Sequence, residues 1–362
     1  MEKQKSDIYK ERHLKFWTLE KVDSPLIGFT VGTGLDSWSY WQDNKAAQSL
    51  LKLDEISPEN ISPSDFVEDQ IKYLRYTENI GDDIIRSAMP LASIPWMEAI
   101  TGCKIISTNS SVSALKMFDL ISEVEIIPFN SNNHWAKKYF EFFKVYDEAF
   151  NGHYPIGQSI IRGPSDILCA ILGVESAAVS LIDDPEGTKK VLNRITESLE
   201  SFLRVQSYLL PKFLDGYVIG QYELWAPEPA IRIQEDYSNL FSNEMYMEFL
   251  YSLEKRLAGI SKYTLIHLHS SSLHLIENFL EVNTIRAFQI TKDPNVESID
   301  VMINALKKVQ EFNKPLVVKG RFTKEDYSTL KNNLKPDGFS IQPVVKSKDE
   351  VNELLSLLRS WN

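Results

Sequence analysis

The chain has 362 residues, 43% of them apolar and 25% charged, with a formal net charge of −11. That length suits one large domain or two ordinary ones, and the composition is that of a globular protein. The acidic balance argues against general nucleic-acid binding, which needs a basic face, and no window approaches the roughly 20 apolar residues of a membrane span.

The opening stretch MEKQKSDIYKERHLKFW is charged throughout and has no apolar core of a secretory signal. The two cysteines, Cys103 and Cys169, lie far apart, so no disulfide framework is expected and a reduced, cytoplasmic setting is. Residues 30–44, TVGTGLDSWSYWQDN, are rich in Gly, Ser, Asp and aromatics and read as a loop or hairpin. A helix follows near 64–76. Apolar runs then read as strands: one near 87–96, then 157–163, 216–225, 233–240 (the weakest), 264–270, 285–291, 315–320 and 339–345.

Helical spacing fills the gaps between the later strands. Asp184 and Pro185 open a stripe of Leu192, Ile195, Leu199, Phe202 and Leu203. Ser242 opens another, with Met245, Phe249, Leu253 and Leu257, stopped at Gly259. Ile299, Met302, Ile303, Leu306 and Val309 form a third. Thr323 with Asp326 and Ser347 with Glu350 have capping-box spacing, and Val351, Leu354, Leu355 and Leu358 stripe the last helix. Strand and helix in alternation imply parallel strands with helical crossovers. Eight strands favour an α/β fold of the (β/α)8 TIM-barrel type over residues 86–362, with residues 1–85 as an N-terminal extension packed on it. No glycine-rich phosphate-binding motif follows any strand, which weakens dinucleotide and P-loop readings.

Successive strand residues face opposite sides. In 264–270, Ile266 and Leu268 face one way, while Leu265, His267 and His269 face the other. The outer face of a barrel packs on helices, so the histidines point inward, and His269 stands at the C-terminal end where barrel enzymes carry their sites. The same reasoning turns Arg162, Glu223, Gln289 and Lys319 toward one mouth, with Gln221 sharing the face of Glu223, and Asp236 and Tyr237 joining them. Inward polar groups left unsatisfied cost about 1–3 kcal/mol each, so several at one end suggest a site. The structural alternatives are a hydrogen-bonded His pair, salt bridges of Arg162 and Lys319 with Glu223, Asp236 or Asp166, and ordinary packing of Trp38, Trp41, Trp96, Trp135 and Trp225. Trp225, two positions from Glu223, is the aromatic best placed for a ligand. Cys169 reads as core, Asp166 as a helix cap and His274 as a residue past the strand end.

The segments ASIPWMEAITGC (92–103), IIRGPSDILCAILG (160–173), IDDPEGTKKVLNRITE (182–197), EDYSNLFSNEMYMEF (235–249) and IHLHSSSLHLI (266–276) resemble the uroporphyrinogen decarboxylase superfamily, over a match from about residue 60 to the end. The resemblance implies a (β/α)8 barrel and two activities: cofactor-free decarboxylation of uroporphyrinogen, or zinc-dependent methyl transfer between corrinoid proteins and thiols. The chain departs from both patterns. It has no Arg-Gln-Ala-Gly-Arg segment and no histidine after His274. The His-x-Cys of the methyltransferases is His267-x-His269 here, and no cysteine follows Cys169.

Three readings follow. The leading one is a methyltransferase-like enzyme of one-carbon or corrinoid chemistry, acting on a small molecule with a corrinoid protein as partner. Its zinc is held by His267, His269 and Glu223. Asp236, Arg162 and Lys319 are its catalytic candidates, Gln221, Trp225, Tyr237 and Gln289 line the substrate, and a homodimer is a candidate assembly. The second is a cofactor-free decarboxylase or other lyase, with Arg162 and Lys319 on carboxylates and Asp236 stabilising charge. The third is a barrel that binds a small molecule without catalysis.

Overall fold

The computed structural model describes residues 3–32, 45–108 and 111–361. The expected loop at 30–44, with Trp38 and Trp41, lies almost wholly outside the described residues. Helix α1 (Lys3–Thr18) opens the chain. Two short strands follow, β1 (Leu26–Ile27) and β2 (Thr30–Val31). Next come β3 (Glu55–Ile56), β4 (Ile105–Ser107) and β5 (Val112–Ala114), which form a small antiparallel sheet. β6 (Tyr217–Ile219) and β7 (Leu224–Ala226) make an antiparallel hairpin. β8 (Ala230–Gln234), β9 (Tyr263–His269), β10 (Ala287–Lys292), β11 (Leu316–Gly320) and β12 (Phe339–Val345) are parallel neighbours in chain order, and β12 pairs in turn with β1 and β2.

Two extended segments close the ring. Residues 82–88 attach to β1 through Asp83 N–H donating to the Ile27 carbonyl at 2.7 Å. They attach to the segment beginning at Pro155 through a parallel bridge between Ala88 and Ile156. That second segment ends against β8, where a Cβ on Gly163 would lie 2.2 Å from the Gln234 carbonyl oxygen. The result is a (β/α)8 barrel whose staves are β1–β2, 82–88, 155–163 and β8 to β12. The run expected near 87–96 gives only its start to a stave, where Ala88 bridges Ile156, and passes at Trp96 into a short helix, Trp96–Ile100. The run expected at 157–163 has no ladder of its own, only a bridge from Gly157 to Val218 of the hairpin. Two short strands inside the 1–85 segment, β1 and β2, belong to the barrel sheet itself.

The middle of the chain departs from the pattern reading. The run 216–225 is the β6–β7 hairpin, not a stave, because a four-residue turn at 220–223 reverses it. The stave is β8, and the run expected at 233–240 continues past it as a 3-10 turn, Asp236–Leu240. β8 alternates Ile231 and Ile233, packed outward in the main core, with Arg232 and Gln234. Its polar inner face disguises it in an apolar-run search.

The hairpin fills the barrel. Ile219, Tyr222, Leu224 and Ala226 form one cluster with the inward residues Ala230, Leu265, Ala287 and Val317, closed from below by Phe16 and Trp17 of α1. Alanine at two of the inner positions leaves room for the inserted strands. Glycine makes room at the wall: a Cβ on Gly157 would stand 2.5 Å from the Gly220 Cα, and one on Gly220 would stand 2.3 Å from the Gln158 carbonyl oxygen. Trp17 Nε1 donates to the Trp225 carbonyl at 2.9 Å, tying cap to plug.

Pro185–Leu209 lies where the spacing predicts, capped by Asp184 accepting from Gly187 N–H. The stripe opened by Ser242 is two helices, Asn243–Phe249 and Tyr251–Ala258, broken at Leu250. The Ile299 stripe begins as a 3-10 turn before the helix Ile303–Glu311. Thr323 and Asp326 form a reciprocal capping box. Ser347 caps Glu350 N–H, while Glu350 reaches back to Lys346 N–H. No single helix among the described residues is long and apolar enough to cross a membrane. The bent pair Pro164–Leu172 and Val174–Asp183, 107° apart, passes that test only when joined.

Candidate functional site

The parallel register brings three side chains level at the C-terminal ends of the staves. Gln234 of β8 pairs with His267 of β9, so Asp236, two residues on, comes level with His269. Gln289 and Thr291 of β10 flank the same two histidines on the other side. His267 Nε2 and His269 Nε2 are 3.3 Å apart, and Asp236 Oδ1 lies 3.7 Å from the first and 3.5 Å from the second. Tetrahedral ligands at the usual zinc bond lengths of about 2.0–2.2 Å stand roughly 3.4 Å from one another. Asp236 Oδ1 is buried and has no hydrogen-bond partner. The two Nε2 atoms are within hydrogen-bond distance of each other and Asp236 Oδ1 within ion-pair distance of both, so the same three atoms can serve as a hydrogen-bonded group or as three ligands to a cation.

Each of the three groups is held from behind. His267 Nδ1 meets the Tyr222 hydroxyl at 2.7 Å and also the Gln289 Oε1. His269 Nδ1 meets Asp293 Oδ1 at 2.5 Å, and Asp293 Oδ2 accepts from the backbone N–H and hydroxyl of Ser270. Asp236 Oδ2 accepts from Gln234 Nε2, and Gln234 Oε1 accepts from Arg232. Such outer partners fix ring orientation and the nitrogen that is presented. Burial holds His267 well below the usual imidazole range, helped by the charges of Arg232 and His269. Burial also opposes charge on His269, but the hydrogen bond to Asp293 and the charges of Asp236 and Asp293 outweigh it and leave that imidazole raised. Neutral His267 has a lone pair to give, as a metal ligand requires.

The cluster opens into a cavity of about 740 Å³. His267 and His269 form part of its wall, with Lys319, Arg86 and Tyr73 around them and the hairpin turn Gln221–Glu223 as another part. The volume falls within the range of small-molecule sites.

The expected site residues divide. His267, His269, Lys319, Gln221 and Glu223 line the cavity. Glu223 is not with the histidines. It stands at the hairpin turn with φ +55°, and its Oε2 accepts from the N–H and hydroxyl of Ser87 at 2.8 and 3.0 Å. Burial pushes its carboxyl well up, against the charge of Arg86. Because 216–225 is no stave, Glu223 does not ride to the mouth, and Asp236 takes the third position in the cluster. Arg162 forms an ion pair with buried Glu98 at 3.0 Å and is absent from the cavity wall. Trp225 donates to the Phe213 carbonyl and packs with Ile85, Phe213 and Val218 below the cavity. Tyr237 is exposed and absent from the cavity wall, with its backbone N–H donating to Asp166 Oδ1. Gln289 supports His267 from behind.

Four supports escape the sequence reading. Asp293 would follow from extending the Ala287, Gln289, Thr291 alternation by two residues, and Gln234 and Arg232 from running back from Asp236. Tyr222 has no such signal, since only the insertion of the hairpin brings it to His267.

No protein-family model matches the chain, and no curated protein does. Among solved structures, a methyltransferase from Methanosarcina mazei has a similar fold, with a TM-score of 0.65 over 97% of this chain and 98% of that one, at 15% identity. At that identity the likeness is one of fold.

Proposed function

We propose that this protein is a metal-dependent, methyltransferase-like enzyme of the uroporphyrinogen decarboxylase superfamily, with zinc held by His267, His269 and Asp236 at the barrel mouth. The observation that carries this reading is the convergence of two Nε2 atoms and one unpartnered carboxylate oxygen within 3.3–3.7 Å. A bound ion would supply a Lewis acid with an open position, able to polarise or ionise a heteroatom brought to it. The protein's own groups do the rest. The cavity is of a size for a small molecule. Lys319 places positive charge on its wall. Asp293, Gln289 and Tyr222 hold the imidazoles still.

The ligand set shapes the chemistry. Two imidazoles and one carboxylate leave a divalent ion one net positive charge, whereas one imidazole and two thiolates leave none. The centre is therefore harder and more electrophilic than a thiolate-rich one. It suits polarising a methylated oxygen or nitrogen donor better than making a bound thiolate nucleophilic. A corrinoid protein is the proposed methyl acceptor.

The test is metal content by mass spectrometry, on untagged protein purified without chelator, beside His267→Ala/His269→Ala. Near-stoichiometric zinc in the first and none in the second is the expected result. A wild-type protein that takes up no metal even after zinc addition overturns the reading.

A further inference from the structure

The β6–β7 hairpin is not part of the barrel repeat, yet it reaches into the barrel and ends against one of the proposed ligands. Its turn is clamped on several sides. The Tyr222 carbonyl accepts from Gln342 Nε2 at 2.8 Å, Glu223 N–H donates to the Ile219 carbonyl at 2.8 Å, and the Glu223 carboxylate is fixed on Ser87. Glu223 adopts a left-handed backbone, φ +55°, which a non-glycine residue rarely keeps unless its surroundings impose it. The clamps hold the Tyr222 ring between neighbours. It is 1% exposed, with the Arg232 guanidinium 5.5 Å and the Lys319 ammonium 5.7 Å from its centroid, and its hydroxyl 2.7 Å from His267 Nδ1.

His267 can offer Nε2 to an ion only when the ring proton sits on Nδ1. Gln289 Oε1 can accept that proton's hydrogen bond but cannot donate. The Tyr222 hydroxyl can do either, so it serves the imidazole in both tautomers, before and after an ion arrives. The distance and the clamped turn make it a fixed stop for the ring as well.

We infer that Tyr222, delivered by the hairpin inside the barrel, is a positioning residue of the metal centre, setting the plane of the His267 ring while the acceptor-only Gln289 Oε1 keeps the ring proton on Nδ1. This rests on the metal reading above. Its role is through His267 and involves no contact with substrate.

The experiment compares wild type with Tyr222→Phe, using zinc and cobalt(II) ions alone as probes. Zinc affinity is read by competition with a chromophoric chelator, and the cobalt-loaded proteins by their visible ligand-field bands. Thermal unfolding and far-ultraviolet circular dichroism check the fold. Loss of an outer partner costs roughly 10–100-fold in metal affinity, so Tyr222→Phe is expected to weaken zinc by that factor and to shift the cobalt bands while staying folded. Unchanged affinity and bands overturn the inference and leave the metal reading standing. A wild type that binds neither ion overturns both. If the variant does not fold, nitrogen-15 NMR of zinc-loaded wild type decides. A protected His267 Nδ1 proton with a cross-peak to the Tyr222 ring supports the inference, and an Nδ1 proton that exchanges freely with solvent sinks it.

Discussion

At the scale of single residues, the question is which carboxylate completes the histidine pair. Asp236 leads with a buried, unpartnered oxygen 3.5–3.7 Å from both Nε2 atoms, whereas the Oε2 of Glu223 is occupied by Ser87. Asp236→Asn is expected to cost zinc affinity at least the roughly 10–100-fold that an outer partner is worth. Glu223→Gln is expected to leave it unchanged in the same chelator competition, and the reverse ranking would return the ligand role to Glu223. A second residue-scale prediction concerns Glu254, buried beside Glu235. Burial, then the charge of Asp166, pushes its carboxyl up to about 8, against the hydrogen bond with Glu235. The folded pKa lies above the unfolded one, so the folded state holds the extra proton. Stability from this group is full below about pH 4.5 and is lost as pH rises toward 8. Melting temperature should therefore fall between pH 6 and 8 in wild type and fall less in Glu254→Gln, which keeps the shape and removes the titration. Equal slopes for the two proteins would show that Glu254 does not carry the pH dependence.

At the scale of elements, the hairpin is the unusual feature. It fills the lumen that side-chain layers fill in an ordinary barrel, and it passes the wall only because Gly157 and Gly220 face each other. A methyl group at either position meets backbone atoms at 2.3–2.5 Å, with no flexible side chain to yield. Gly220→Ala is expected to destabilise the protein by about 1–3 kcal/mol through overpacking, read as a lower denaturant midpoint at unchanged slope. An unaltered midpoint would mean that the hairpin is less tightly seated than its contacts suggest. Because the same element delivers Tyr222, a displaced hairpin should weaken zinc binding together with stability.

At the scale of the whole molecule, both ends of the chain are fastened to one buried carboxylate. Asp83 forms ion pairs with Arg12 of α1 at 3.0 Å and with Arg359 of the last helix at 2.6 Å, and also accepts from Ile27 N–H at 2.9 Å. Removing the carboxylate takes away its hydrogen bonds and ion pairs, but Arg12 and Arg359 are part-exposed and stay solvated, so the cost is about 1–3 kcal/mol. Asp83→Ala should lower the unfolding free energy by that much and expose both termini to proteolysis. Survival of the termini would show that packing of Trp17 and Trp361 suffices to hold them.

Much of this architecture is legible in the amino-acid order. Period-2 alternation marks β9, β10, β11 and β12, and helical stripes mark the crossovers, because each element buries one face and shows the other. The same alternation turns His267, His269 and Lys319 inward. What the order of residues leaves open is everything that depends on how deeply a segment is inserted. The apolar run 216–225 is equally suited to a stave or a plug, since both are buried. Only the assembled barrel, with alanines on its inner face and paired glycines in its wall, selects the plug. That selection moves Glu223 away from the histidines, brings Tyr222 to them and leaves Asp236 as their carboxylate. Local sequence determines which face of a strand is polar. The tertiary packing decides which of those polar groups meet, because the meeting depends on register and insertion across segments far apart in the chain.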